Sequence, residues 1–344
     1  MKRIINQRVS LLIVVAVLLI SNLITFTIIS RKYAQPDSSE ISEAGMGQSC
    51  GYDVKRLEGY KYIKPILFVD NQYESDELVQ LKGTLNTIIE NYKKSGVLNS
   101  ASVYLKEYQN NGWMGINQDE KYLPGSLMKV PELITFLKME ELHPGTLDRV
   151  LTAKALYTAD KHPLYLSKSI EAGKSYTVRE LLRYMIEYSD NNATSLLFEN
   201  MDKAMFKKVF TDFNMTSPDL SAQNYLISSR EYTYFMRSLY NASYLNIKNS
   251  EFATELLSKC NFKKGLVAGI PSNVKIAHKF GESGDPLEKD LSESGVIYLN
   301  SYPYTITIMT KGKDMNKLPE VIKQLSSAVY QYMINRDNTS LAES

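Results

Sequence analysis

The chain has 344 residues, 44% hydrophobic and 23% charged, with a formal net charge of +2 at pH 7. That is enough apolar material for a proper globular core, and the near balance of charge excludes a nucleic-acid binder working through a basic face. Two cysteines, Cys50 and Cys260, are too few for a disulfide framework, although one bridge between them stays open; His143, His162 and His278 form no metal-ligand spacing, so neither metal nor other cofactor is expected.

Residues 1–8 carry Lys2, Arg3 and Arg8, and residues 9–29, "VSLLIVVAVLLISNLITFTII", are uncharged. Roughly 20 apolar residues span a bilayer as a helix, and the flanking cations favour a cytoplasmic N-terminus. A transmembrane anchor is preferred to a cleaved signal peptide because the stretch runs on past Ser21 and Asn22 with no small-residue cleavage site directly after it. Either way the remainder is exported. Residues 30–59 read as a linker, with "AQPDSSEISEAGMGQSCGY" poor in large apolar side chains, and 60–340 as one globular domain.

Within that domain, 62–70 reads as extended, and 74–96 as an amphipathic helix with Leu78, Leu81, Leu85 and Ile88/Ile89 on one face. Residues 101–118 read as two strands around "NNG". A helix begins at "PGSLMKVPELI" (124–134), and 175–201 is two helices broken at "YSDN", the first opened by a Thr177/Glu180 capping box. A further helix spans 228–245. Strands follow at 274–282, 294–300 and 304–312, and a closing helix at 317–334. Short turns between neighbouring strands make them antiparallel, so the order predicts an α+β fold: an antiparallel sheet covered by the first and last helices, with an all-helical block inserted.

Ser126 and Lys129 share one helical face at i,i+3. A serine needs a base before it becomes a nucleophile. A neutral lysine can serve, once its pKa falls from about 10.4 toward about 7, a shift worth roughly 4 kcal/mol. Burial among Leu127, Met128 and Val130 at a helix start supplies that pressure, and the amide of Ser126 is placed to stabilise an oxyanion. Taken singly the pattern is weak: a capping serine and a snorkelling lysine look the same, and Ser272/Lys275 repeats it. Ser189-Asp190-Asn191 in a helix break reads equally as a cap. Lys279-Phe280-Gly281 on a strand reads equally as an edge lysine and a turn glycine, and Lys263-Lys264-Gly265 matches it.

The combination is specific. Ser-x-x-Lys on a helix start, Ser-Asp-Asn between helices and Lys-x-Gly on a strand occur in that order, at 126, 189 and 279. Over roughly residues 74–336 the chain resembles the penicillin-recognising serine enzymes, class A β-lactamases most closely. The resemblance implies a β-lactamase/transpeptidase-like fold and roles residue by residue. Ser126 would be the acylated nucleophile, Lys129 its activator and Ser189 the proton relay to the leaving nitrogen. Asn191 would bind the substrate amide, Lys279 the substrate carboxylate beside Gly281, and the amide of Glu282 would be the second oxyanion donor. Tyr165 would be an aromatic wall at the site rim; an ordinary packing tyrosine reads equally well.

Two positions depart from the pattern. Class A enzymes carry Glu-x-x-Leu-Asn in a loop after the helical block, with the glutamate placing the water that frees the acyl group; residues 211–235 hold no Glu-x-x-x-Asn. Asp219 is the nearest substitute base, five rather than four positions before Asn224, and Glu231 falls within the next helix. Position 280 is Phe where the family has Thr or Ser, which removes a hydroxyl for the substrate carboxylate and leads to the expectation that Phe280→Thr strengthens recognition. Acylation therefore reads as complete and deacylation as slow. The leading expectation is a membrane-anchored, extracytoplasmic hydrolase opening β-lactams or related amides or esters. The alternatives are a penicillin-binding D,D-peptidase acting on cell-wall peptides, and a non-catalytic wall-binding module of the same fold.

Overall fold

The computed structural model describes residues 51–156, 168–221, 225–284 and 287–343, with side chains described as far as residue 336. All belong to the compact unit Cys50–Ser344. Among them no helix is long and apolar enough to cross a membrane; the apolar stretch 9–29, Cys50 and Tyr165 lie outside the described residues.

The chain enters through a two-stranded antiparallel ribbon, β1 (Tyr52–Arg56) and β2 (Ile66–Asn71). Residues 52–56, read as linker from composition, are thus a strand. Helix α1 (Val79–Lys94) follows, then β3 (Ser100–Glu107) and β4 (Trp113–Ile116). A 3-10 turn at Gly125–Met128 leads into α2 (Lys129–Leu142). The helical block comprises α3 (Val178–Glu187), α4 (Asn191–Asn200), α5 (Lys203–Asp212), α6 (Ser229–Tyr240) and α7 (Ile247–Ser258). The chain closes with β5 (Ile276–Gly284), β6 (Lys289–Ile297), β7 (Tyr304–Gly312) and α8 (Leu318–Glu343). The main sheet has five strands in the order β4-β3-β7-β6-β5, with every pairing antiparallel. The α+β expectation holds.

Alternation along the strands makes the two sheet faces different. Ala101, Val103 and Leu105 of β3, with Ile306 and Ile308 of β7, join α1 (Leu81, Leu85, Ile89) and α8 (Leu318, Val321, Leu325) in one apolar cluster. The intervening residues face α6 and carry hydroxyls: Ser102 meets Ser229 at 2.6 Å, and Thr307 meets both Thr233 at 2.6 Å and Ser294 at 2.7 Å. A second apolar cluster fills the helical block around Leu133, Leu181, Leu197 and Phe210. The three motifs singled out in the sequence sit along the seam between these two cores.

Caps explain where the block's helices begin. Thr177 and Glu180 close the capping box read from the sequence, and Ser228 and Glu231 close a second one at α6. The entry ribbon is tied down electrostatically: Arg237 of α6 donates twice to Asp70 of β2, at 3.0 and 2.8 Å, and Lys106 pairs with the same carboxylate at 3.0 Å. Burial pushes the Asp70 carboxyl up, but Arg237 and Lys106 outweigh it and hold it below its usual range.

Candidate active site

Two backbones in contact build the floor of the site. A Cβ at Gly281 of β5 would stand 2.2 Å from the Pro124 carbonyl and 2.7 Å from the Leu127 amide; one at Gly125, where φ is +50°, would stand 2.2 Å from the Glu282 carbonyl. Only glycine at both positions lets the strand run flush against the turn that carries Ser126. Ser126 thereby lies beside the Glu282 backbone, half-buried and in the first turn of the helical run, where amides lack an intrahelical acceptor. From the other side the buried Tyr232 hydroxyl donates to the Leu127 carbonyl at 3.0 Å and fixes the turn.

Ser189 is the meeting point. Its φ of +55° is left-handed, an uncommon conformation for a non-glycine residue. That conformation turns its hydroxyl toward two lysines from different elements. Lys129 Nζ donates to the Ser189 carbonyl at 2.6 Å, to Asn191 Oδ1 at 2.6 Å and to Ser189 Oγ at 3.2 Å. Lys279 Nζ donates to Ser189 Oγ at 2.9 Å and to the Phe280 carbonyl at 2.9 Å. Both lysines are buried, at 3% and 0% exposure. Burial pulls the Lys279 ammonium down to about 8, against the raising influence of Cys260, Glu293 and Glu282. The middle residue of the motif is structural: Asp190 caps α4 through the Asn192 amide at 3.0 Å and holds the chain opposite through Ser169 at 2.7 Å and the Ile170 amide at 2.8 Å.

Behind Lys279 lies a cluster the sequence did not announce. His278 Nδ1 meets Glu293 at 2.6 Å, and Glu293 also accepts from the Leu266 amide at 2.8 Å. Burial opposes charge on His278, but Cys260 and Glu293 raise its pKa to about 10; burial raises the Cys260 thiol, but His278 brings it down to about 7. Cys260 is a free thiol.

Two expectations change. Phe280 is 2% exposed, stacked on Phe262 at 4.3 Å between ring centroids, and belongs to the cluster under α1 and α8. It is a core residue on the strand's far face, so its replacement by Thr opens the core. Nearby, β5 and β6 pair without a bulge, and Ser283 Oγ donates to the Leu123 carbonyl at 3.0 Å. Glu231 is occupied by its capping box and by Lys121, away from the site. Asp219 is exposed, and the Ser221 amide at 2.9 Å and hydroxyl at 2.7 Å hold its carboxyl below the usual range.

Asp219 stands on the rim of a cavity of about 390 Å³ that opens beside the turn carrying Ser126 and is also lined by Pro124, Gly125, Met128 and Glu132. Glu132 went unnoticed in the sequence, although a charged residue inside "KVPELITF" was the available signal.

This fold has known counterparts. The profile of the "Beta-lactamase enzyme family" matches residues 80–333, well over half of the chain. The chain belongs to the beta-lactamase enzyme family. It is 26% identical over 184 residues to a "Beta-lactamase" of Phocaeicola vulgatus, a match covering 46% of this chain and 57% of that relative. Its fold matches the structure of PBP-A (TM-score 0.62, 20% identity, 75% of this chain and 97% of that one). It also matches a class A beta-lactamase from Mycobacterium abscessus (TM-score 0.61, 19% identity, 74% and 99%). Family and fold agree with the resemblance carried by the three motifs.

Proposed function

We propose that this member of the beta-lactamase enzyme family is a serine hydrolase that opens β-lactams or related amides or esters through an acyl-Ser126 intermediate and releases the acyl group slowly. The observation that carries the reading is the Ser189 hydroxyl held between Lys129 and Lys279 at 3.2 and 2.9 Å. In its neutral form Lys129 takes the Ser126 proton as Oγ attacks the carbonyl carbon. The amides of Ser126 and Glu282 stabilise the oxyanion. Ser189 passes its proton to the leaving nitrogen and takes the one that Lys129 received, at 3.2 Å, which leaves Lys129 neutral again, while Asn191 binds the substrate amide and Lys279 faces the substrate carboxylate.

Incubation with a fluorescent penicillin, followed by a denaturing gel, tests the reading. A band that fades over minutes supports slow release from Ser126. A band that persists for hours favours the second reading, a penicillin-binding D,D-peptidase, which the lack of a Glu-x-x-x-Asn loop in 211–235 also favours. No band leaves a non-catalytic wall-binding module. We further propose that residues 9–29 anchor the chain with its catalytic domain outside the cytoplasm; recovery of the full-length protein in the soluble fraction would contradict this.

A further inference from the structure

Glu132 sits where a carboxylate is costly unless it is used. It is 6% exposed, and its Oε2 is buried with no hydrogen-bond partner. It follows Lys129 by one turn on α2 and shares a stripe with Met128, at i,i+4. Helical side chains lean toward the N-terminus of their helix, so Glu132 leans back toward the turn that carries Ser126. The cavity of about 390 Å³ meets it there, lined by Gly125 and Met128, the residues on either side of Ser126 and Leu127.

The charged groups around it are few. Lys129 is on its own helix. Lys203 of α5 comes from across the packing seam, with a buried Nζ that has no hydrogen-bond partner and rests 3.6 Å over the Phe198 ring. Asp219, at the cavity rim, is exposed and engaged by Ser221. Both Lys129 and Lys203 draw the Glu132 pKa down, but burial outweighs them and raises it to about 8.

We infer that Glu132 is the base that holds and deprotonates the hydrolytic water from this cavity, an assignment that rests on the acyl-serine reading above. In the release step the water oxygen bonds to the acyl carbonyl carbon and its proton passes to the Glu132 carboxylate. The bond from that carbon to Ser126 Oγ breaks, and the proton on Glu132 passes through the Lys129 amine to Oγ, which leaves Glu132 ionised and Lys129 neutral as they began. The net change is one ester and one water converted to one acid and the free serine. Because only the ionised minority of Glu132 acts at neutral pH, release is slow there and accelerates as pH rises toward 8 and above.

Stopped-flow kinetics of the full-length protein with a chromogenic cephalosporin test the assignment. For the unmodified protein a burst is followed by a steady rate that climbs with pH to a plateau above about 8. Glu132→Gln keeps the burst but lowers the steady rate by about 10²-fold or more and flattens its pH dependence. Glu132→Leu, which removes the buried carboxylate and keeps the fold without it, gives the same loss. A steady rate in both variants within threefold of the unmodified protein overturns the assignment while leaving the acyl-serine reading standing. A steady rate cut only by Asp219→Asn overturns it in favour of the cavity rim. An unmodified protein that shows neither burst nor label removes both readings together.

Discussion

The two sides of the nucleophile turn are built to opposite standards. On one side, Lys129, Ser189, Asn191 and Lys279 converge from a helix, a helix break and a strand, and their polar groups meet at 2.6–3.2 Å. On the other lies a cavity of about 390 Å³ with a buried carboxylate that has one oxygen unmatched and, at its rim, an aspartate engaged in its own turn. A packed, hydrogen-bonded cluster is preorganised for one step; an open, under-satisfied one costs the fold stability and leaves the second step to a group held mostly in the wrong protonation state. The difference separates the two proposed steps: acylation draws on Ser189 and Lys279, release on Glu132, and Lys129 is shared by both.

Removing the centre of the first region has the largest expected effect. Ser126→Ala abolishes covalent labelling by a β-lactam, read by intact-protein mass spectrometry; labelling that survives on another peptide, such as the one with Ser272, breaks the comparison at its root. Next, Ser189→Ala slows acylation by about 10²–10⁴-fold, read as the rate of label uptake, with little change in how long existing label lasts, whereas Lys129→Met slows both the uptake and the loss of label. Phe280→Thr probes the support beneath the cluster: loss of the buried stack on Phe262 destabilises the protein by about 2–4 kcal/mol in urea unfolding, and no gain in acylation accompanies it. Asp219→Asn is the smallest, changing label lifetime less than threefold, since its carboxylate is exposed and already bonded to Ser221.

A stability measurement sharpens the same contrast. The folded-state pKa of Glu132 lies above its ordinary value of about 4.5, at about 8. The folded protein therefore binds the proton more tightly than the unfolded chain does. This contribution is fully present below about 4.5 and is lost progressively as pH rises through about 8. Urea midpoints of the unmodified protein should fall across that window relative to Glu132→Gln; parallel midpoints would mean that Glu132 is not buried as described.

The fold was legible where patterning was strong. The Leu81, Leu85 and Ile89 stripe, the Thr177/Glu180 box and the three C-terminal strands were all readable from spacing. Helices α5 and α7 were not read as elements, because their caps, Asp202 and Asn246, look like ordinary loop residues in sequence. The convergence of Lys129, Ser189, Asn191 and Lys279 followed from three motifs in order. What sequence could not give was direction. Phe280 was read as facing the substrate, but the strand alternation turns it into the core. Glu132, one turn beyond a recognised lysine, was passed over because a single charge in an apolar helix does not say whether it meets solvent, a partner or a cavity. His278 was set aside as a lone histidine, yet tertiary contacts give it Glu293 at 2.6 Å.

The central claim, that release needs Glu132 while acylation does not, is tested most directly by following the mass of the protein after a brief pulse of penicillin at pH 7 and at pH 9. The account predicts one adduct, on the peptide containing Ser126, formed quickly at both pH values and lost several-fold faster at pH 9. In Glu132→Gln the adduct forms as quickly and persists equally at both. An adduct lost at the same rate in the unmodified protein and in Glu132→Gln at pH 9 would contradict it.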